Sequence, residues 1–175
     1  MAYKFGADKI SHWDYRFLEL AHFISSWSKD ESTEVGCIIT TPDRRIISTG
    51  YNGLPRQTND SVVEHPERHD RELDKYAWWE HAERNALYNA ANLGASTKYA
   101  SAYITLAPCA DCARGLAQSG ISYVFWDEFA TEEYRQKGRL DTTISEDIFR
   151  EAGVTTHALR LYHPVPESKI QKEES

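Results

Sequence analysis

The stretch HAERNALYNAANLGASTKYASAYITLAPCADCARGLAQ, residues 81–118, decides how this chain is built. Its two ends are chemically loaded: His81-Ala82-Glu83 opens it, and Pro108-Cys109-Ala110-Asp111-Cys112 lies near its close. Between them the apolar period changes. Residues 76–93 read as a helix, with Ala82, Ala86, Leu87, Ala90 and Leu93 on one side. Residues 101–106 read as a strand, and residues 109–118 as the helix after it. The result is a helix–strand–helix unit carrying one motif near the start of each helix.

His81, Cys109 and Cys112 offer one imidazole and two thiols. Zinc favours nitrogen and sulfur ligands in a tetrahedron, and three protein ligands leave a fourth corner open. An open corner marks a catalytic site rather than a structural one. Cys109 and Cys112 fall in the first turn of a helix, where the dipole and unpaired N–H groups favour thiolate. Glu83 is not needed as a ligand and is free to move protons. Two blander readings weigh against this. A closed structural site needs a fourth ligand, for which Cys37 is the remaining cysteine. A Cys109–Cys112 disulfide fits poorly with three cysteines and no secretory signal, which indicate a reducing compartment.

Outward from this unit, Ser11 caps an expected helix running to about Trp27, with Trp13, Phe17, Leu20, Ile24 and Trp27 on one face. Residues 35–40 and 45–50 read as two strands of a hairpin, joined by a turn containing Pro42 and Asp43. A loop-rich stretch fills residues 52–74. After the second motif, residues 121–126 read as a strand, 144–152 as a helix and 155–161 as a last strand. The expected fold is α/β in three layers, with a mixed five-stranded sheet, an N-terminal hairpin and parallel later strands between helices. Ligands of such sheets bind beyond the strand C-termini, where both motifs fall.

A chain of 175 residues with 41% hydrophobic content reads as one domain, residues 1–175. Its core is expected over about 11–162, and residues 163–175, rich in Pro, Lys, Glu and Ser, as a loose tail. Net charge of −7 disfavours a broad nucleic-acid surface. No apolar run has the length of a membrane span, and no signal peptide is evident at the N-terminus. A cytoplasmic protein is the expectation. The spacing His65-Pro66-Glu67-Arg68-His69 resembles a metal motif, but Pro66 argues against one helix presenting both histidines. Trp78 and Trp79 read as packing residues more readily than as base-stacking ones.

The combination H-x-E with P-C-x-x-C is the signature of zinc nucleobase deaminases. The chain resembles the deoxycytidylate deaminases within the zinc-dependent cytidine deaminase superfamily. The matching segments are Trp13-Asp14 with Phe17, Ser28-Lys29-Asp30, Ser32-Thr33 with Val35-Gly36, Gly50-Tyr51-Asn52-Gly53-Leu54-Pro55, the segment from His81 to Ala86, and the segment from Thr105 to Ala113. Gly120-Ile121 and the following strand match too, so the resemblance spans about residues 11–160. Extra cysteines that hold a structural zinc in some members are missing here.

The resemblance implies hydrolytic deamination of dCMP to dUMP, feeding thymidylate synthesis, with one catalytic zinc per chain. The alternatives are another cytosine nucleotide or nucleoside, such as dCTP or cytidine, or a non-catalytic nucleotide binder. Glu83 is then the proton shuttle. Ala82 would contact the pyrimidine O2 through its N–H, the Pro108 region would hold the amino group, and Asn52 the sugar, with Thr33 in the same pocket. Lys29, Arg44 and Arg56 are candidates for the phosphate, and Trp126 for stacking on the base. Family members are often hexamers, activated by dCTP and inhibited by dTTP. The matching element is Gly50, Tyr51, Asn52, Gly53 and Arg56, with Lys29 and Asp30 beside it. Gly50 and Gly53 would let backbone N–H groups approach phosphates, and Mg²⁺ could bridge a triphosphate to a carboxylate.

Overall fold

A computed structural model describes residues 10–161; the tail expected over 163–175 lies outside them. The elements are α1 (His12–Ser25), β1 (Gly36–Thr40), β2 (Ile46–Tyr51), a short 3₁₀ turn (Pro66–Arg68), α2 (Lys75–Trp78), α3 (Ala82–Asn92), β3 (Ser101–Ile104), α4 (Ala110–Gln118), β4 (Tyr123–Asp127), α5 (Glu128–Gln136), α6 (Thr143–Ala152) and β5 (Thr155–Leu159). The sheet order is β2-β1-β3-β4-β5. β1 runs antiparallel to both β2 and β3, and β3, β4 and β5 are parallel. This is the mixed five-stranded sheet expected from the sequence.

Alternation along the strands divides the core in two. Cys37 and Ile39, Ala102 and Ile104, and Val124 and Trp126 join one cluster with Ala82, Ala86, Leu116 and Phe149 of the helices. Ile38, Tyr103 and Phe125 join the other, against Phe17, Leu18, Ala21 and Ile24 of α1. Helices therefore cover both faces. All five residues of β1 are buried because it is a central strand covered on both sides.

The α1 start is tied by Asp14, whose carboxylate accepts from the Ser11 N–H at 2.6 Å and from the Tyr103 hydroxyl at 2.8 Å. The apolar face of α1 is rotated from the expected one. Leu18 and Ala21 are buried, whereas Trp27 lies past the helix end and is 51% exposed. Its ring meets Tyr51 edge-on instead.

Two backbone contacts set the depth of the helices. A Cβ on Gly36 would lie 2.0 Å from the Ala21 carbonyl oxygen, and one on Gly50 2.2 Å from the Ala82 carbonyl oxygen. Only glycine permits those approaches. Gly50 thus brings α3 down onto β2, backbone against backbone.

The helix expected over 76–93 is divided. Glu80 pairs with Gly53 through two backbone hydrogen bonds, Gly53 N–H to Glu80 O at 3.0 Å and Glu80 N–H to Gly53 O at 2.8 Å. That pairing needs extended backbone, so the chain leaves α2 at Trp79 and enters α3 only at Ala82. A tertiary contact overrides a favourable helical pattern. Helix α5 was not expected: it begins directly after β4, its first turn capped by Asp127 accepting from the Phe129 N–H, and it buries only Thr131.

Candidate metal centre and active site

Both motifs sit at helix starts. His81 is the N-cap of α3 and Cys109 the N-cap of α4, with Cys112 in the first turn of α4. β3 ends at Ile104, and the short connection to α4 carries Pro108 and Cys109. The sheet therefore delivers the second motif from the C-terminal end of a central strand, beside the start of α3.

The Nδ1 of His81 lies 3.5 Å from the Cys109 Sγ and 3.4 Å from the Cys112 Sγ, and the three ligand atoms lie within 4.8 Å of one another. Tetrahedral zinc with ordinary Zn–N and Zn–S bonds requires N···S separations of about 3.5 Å. The three residues thus fit zinc in both chemistry and spacing. Cys37 is fully buried in the core and is not part of this group, and no disulfide joins the three cysteines.

The trio shares protons that an arriving zinc would displace. The hydrogen bond from Cys112, with a second from His81, pushes the Cys109 thiol down to about 4. Cys112 shifts upward, because it holds the shared proton and is buried. The His81 imidazole is raised, chiefly by its contact with Cys109. Glu83 is 4% exposed, and burial raises its carboxyl above the ordinary range, against a smaller opposing pull from His81. A carboxyl so placed holds a proton at higher pH than one in water, as a proton shuttle requires.

A cavity opens onto this group. Its wall includes Thr33, Asn52, Trp79, Ala82, Glu83 and Leu106, with Arg71, Tyr134 and Arg139 among the polar residues. Ala82 is buried at the first helical position of α3, where the backbone N–H has no partner within the helix.

The residues proposed for substrate contact divide. Thr33 and Asn52 line the cavity, but Asn52 is largely committed to the protein. Its Oδ1 accepts from the Val35 N–H at 2.8 Å, and its Nδ2 donates to Thr33 O at 2.8 Å and Asp30 Oδ2 at 3.2 Å. One Oδ1 lone pair is left for a ligand. Pro108 is fully buried and lies outside the wall. Trp126 also lies outside it: its ring packs in the core, and its Nε1 donates to Glu128 at 2.8 Å. Stacking on a base in the cavity is closed to it, because β4 turns that side chain into the interior.

The expected phosphate cations lie elsewhere. Lys29 is exposed and paired with Asp60, Arg44 sits over the Trp13 ring, and Arg56 donates to Asn89. Gly50 is buried beneath α3, and the Gly53 N–H is spent on Glu80. Neither glycine offers the backbone donor to a phosphate that the sequence suggested. Tyr51 is 40% exposed, and Asp30 is buried against Lys75.

Arg71, Tyr134 and Arg139 escaped sequence reasoning. Arg71 is in a loop without a motif, and Tyr134 is on the unexpected α5. Trp79 lines the cavity while its Nε1 donates to Arg68 O at 2.7 Å. His69 packs edge-on against Trp79, and His65 contacts Glu67. The two histidines form no metal group among the described residues.

A family model described as the cytidine and deoxycytidylate deaminase zinc-binding region matches residues 11–128. Deoxycytidylate deaminase of Mus musculus is 34% identical over 149 residues, covering 85% of this chain and 80% of the mouse protein. An uncharacterized deaminase from the luxG 3′ region of Aliivibrio fischeri is 38% identical over 152 residues, 87% of this chain and 97% of that protein. The crystal structure of dCMP deaminase from the cyanophage S-TIM5 in complex with dCMP and dUMP shares the fold. Its TM-score is 0.66 at 20% identity, over 86% of this chain and 99% of that one.

Proposed function

Because this chain belongs to the cytidine and deoxycytidylate deaminase zinc-binding family, we propose that it hydrolyses dCMP to dUMP and ammonia. The observation that carries this reading is the buried Glu83 carboxyl beside the His81–Cys109–Cys112 trio, on the wall of a cavity. The names of the mouse and cyanophage relatives supply the substrate.

Zinc held by His81, Cys109 and Cys112 would supply a Lewis acid that makes water nucleophilic at neutral pH. Glu83 takes the proton from the attacking water, then returns protons to ring N3 and to the departing amine. Its burial suits both directions, since it weakens the carboxylate's preference for being ionised. The Ala82 N–H, at the start of α3 on the cavity wall, would donate to the pyrimidine O2. Trp79, Leu106 and Ala107 give the cavity an apolar wall against which the base would pack. The atoms balance as dCMP plus water giving dUMP plus ammonia.

The test is spectrophotometric deamination with dCMP, dCTP, deoxycytidine and cytidine in parallel. A dCMP kcat/KM above the other three is expected. A higher value for deoxycytidine or cytidine would reassign the substrate to a nucleoside.

Assembly as a hexamer, a cytoplasmic setting and regulation by dCTP and dTTP belong to the same proposal and rest on the family resemblance. An effector at the loop after β2 would meet Tyr51 and Arg56 through side chains, since the Gly53 N–H is occupied. Mg²⁺ would accompany such a triphosphate. A sigmoidal dCMP curve that dCTP renders hyperbolic is the expected signature. Hyperbolic kinetics indifferent to both triphosphates would remove the regulatory part alone.

A further inference from the structure

We infer that Arg71 holds the 5′-phosphate of the nucleotide and so separates nucleotide from nucleoside at this site; the inference rests on the dCMP reading above.

Three observations converge on Arg71. It lines the same cavity as Glu83 and His81. Its guanidinium is already oriented: Nε and Nη2 donate to Ser32 Oγ at 3.2 and 2.9 Å, and Nη2 donates to Thr33 Oγ1 at 2.9 Å. Tyr134 meets the same Thr33 hydroxyl at 2.9 Å, which fixes that hydroxyl from the other side. The partners are neutral. Arg71 has no carboxylate within ion-pair distance among the described residues, whereas Arg135 has Glu128 and Glu146, and Arg84 has Glu80.

The neighbouring cation is different. Lys75 also lines the cavity, but its ammonium is buried and paired with Asp30 at 2.6 Å. Its charge is neutralised before a ligand arrives. Arg71 keeps a full positive charge, and its Nη1 has no partner among the described residues. A guanidinium gripped along one edge with a free nitrogen on the other is prepared for the oxygens of a phosphate. In a chain of net charge −7, an arginine that lines a cavity with no carboxylate partner among the described residues is matched to an anionic ligand. Arg139, exposed on the same wall and also without a carboxylate partner among the described residues, would add a second, weaker contact.

The experiment compares kcat/KM for dCMP and deoxycytidine in the parent protein, Arg71→Gln, Arg71→Lys and Arg139→Gln. A charge-assisted contact predicts that the dCMP-to-deoxycytidine ratio falls about ten- to a hundredfold in Arg71→Gln, less in Arg71→Lys, and least in Arg139→Gln. Calorimetric binding of dUMP against deoxyuridine gives the same comparison without turnover, and a melting curve identifies any variant that fails to fold. A ratio within twofold of the parent in both folded Arg71 variants overturns the assignment while leaving dCMP deamination intact. A parent protein inactive on every cytosine compound overturns the substrate reading and this inference together.

Discussion

The Lys75 ammonium donates to the Asp30 carboxylate at 2.6 Å, and both side chains are withdrawn from solvent, at 7% and 6% exposure. Asp30 is the hub of the cavity's rear wall. Its Oδ1 also accepts from the Ser32 N–H and hydroxyl and from the Thr33 N–H, and its Oδ2 accepts from Asn52. Ser32 and Thr33, Asn52 and Lys75, from three segments remote in sequence, meet at this one carboxylate.

Removing one partner of such a pair leaves a buried charge uncompensated, at a cost of about 3–5 kcal/mol. Asp30→Asn should therefore lower the urea midpoint strongly at pH 7. Burial alone would raise the Asp30 carboxyl, but hydrogen bonds from Lys75 and Ser32 outweigh it and hold the group below the ordinary range. A depressed carboxyl stabilises the fold above its unfolded pKa, about 3.9. That contribution is lost as pH falls below this value and through the lower folded one. Urea melts from pH 7 to 3 should show the parent losing this stability and Asp30→Asn having none of it to lose.

Metal content tests the ligand set without any assay of turnover. The parent should hold about one zinc per chain. Cys109→Ser and Cys112→Ser should each lose most of it by elemental analysis. Full occupancy in either variant would falsify the assignment.

Glu83→Gln should retain zinc and bind dUMP, while kcat falls by at least ~10²-fold, the low end for general acid–base catalysis. Turnover near that of the parent would show that another group moves the protons.

Gly50→Ala tests the backbone contact under α3. The new methyl would meet the Ala82 O at 2.2 Å and the Ala86 N at 2.4 Å, neither of which can swing aside. Overpacking of this kind costs about 1–3 kcal/mol or more, and the displaced helix carries Glu83, so kcat should drop with Tm. Gly115→Ala is the control. Its methyl would meet only side-chain atoms at ordinary distance, Leu87 at 3.6 Å and Arg84 at 3.9 Å, and helical Gly→Ala is worth about 0.5–1 kcal/mol of added stability. A Tm for Gly50→Ala equal to the parent's would show that the helix can yield.

The sheet and the zinc trio were legible because each was encoded locally. Short apolar runs at 37–39, 102–104 and 123–126 mark strands covered on both faces, and the trio needs only two short motifs. The break at Glu80 was not, because its cause is Gly53, 27 positions away, pairing with it through backbone atoms. Helix α5 was hidden by its polarity, with only Thr131 buried. Asn52 lines the cavity, but its amide is mostly spent on Val35, Thr33 and Asp30, partners from distant segments that the Asn-Gly turn pair did not reveal. Arg71 had no signal in one dimension, since its meaning comes from which neighbours it lacks.

His81 lies 28 and 31 positions from the two cysteines that it joins. In an unfolded chain only Cys109 and Cys112 are near one another, a two-thiol half-site. The third ligand arrives when β3 has paired with β1 and α3 has docked beside α4. Full-strength ion capture is therefore a late event in the life of a nascent chain, and the ion binds the closed unit far better than the open one. A chain whose α3 frays keeps an exposed dithiol, open to oxidation during biogenesis. Zinc would accordingly act on the stability of the folded chain as well as on its chemistry, so the melting temperature should rise with free zinc.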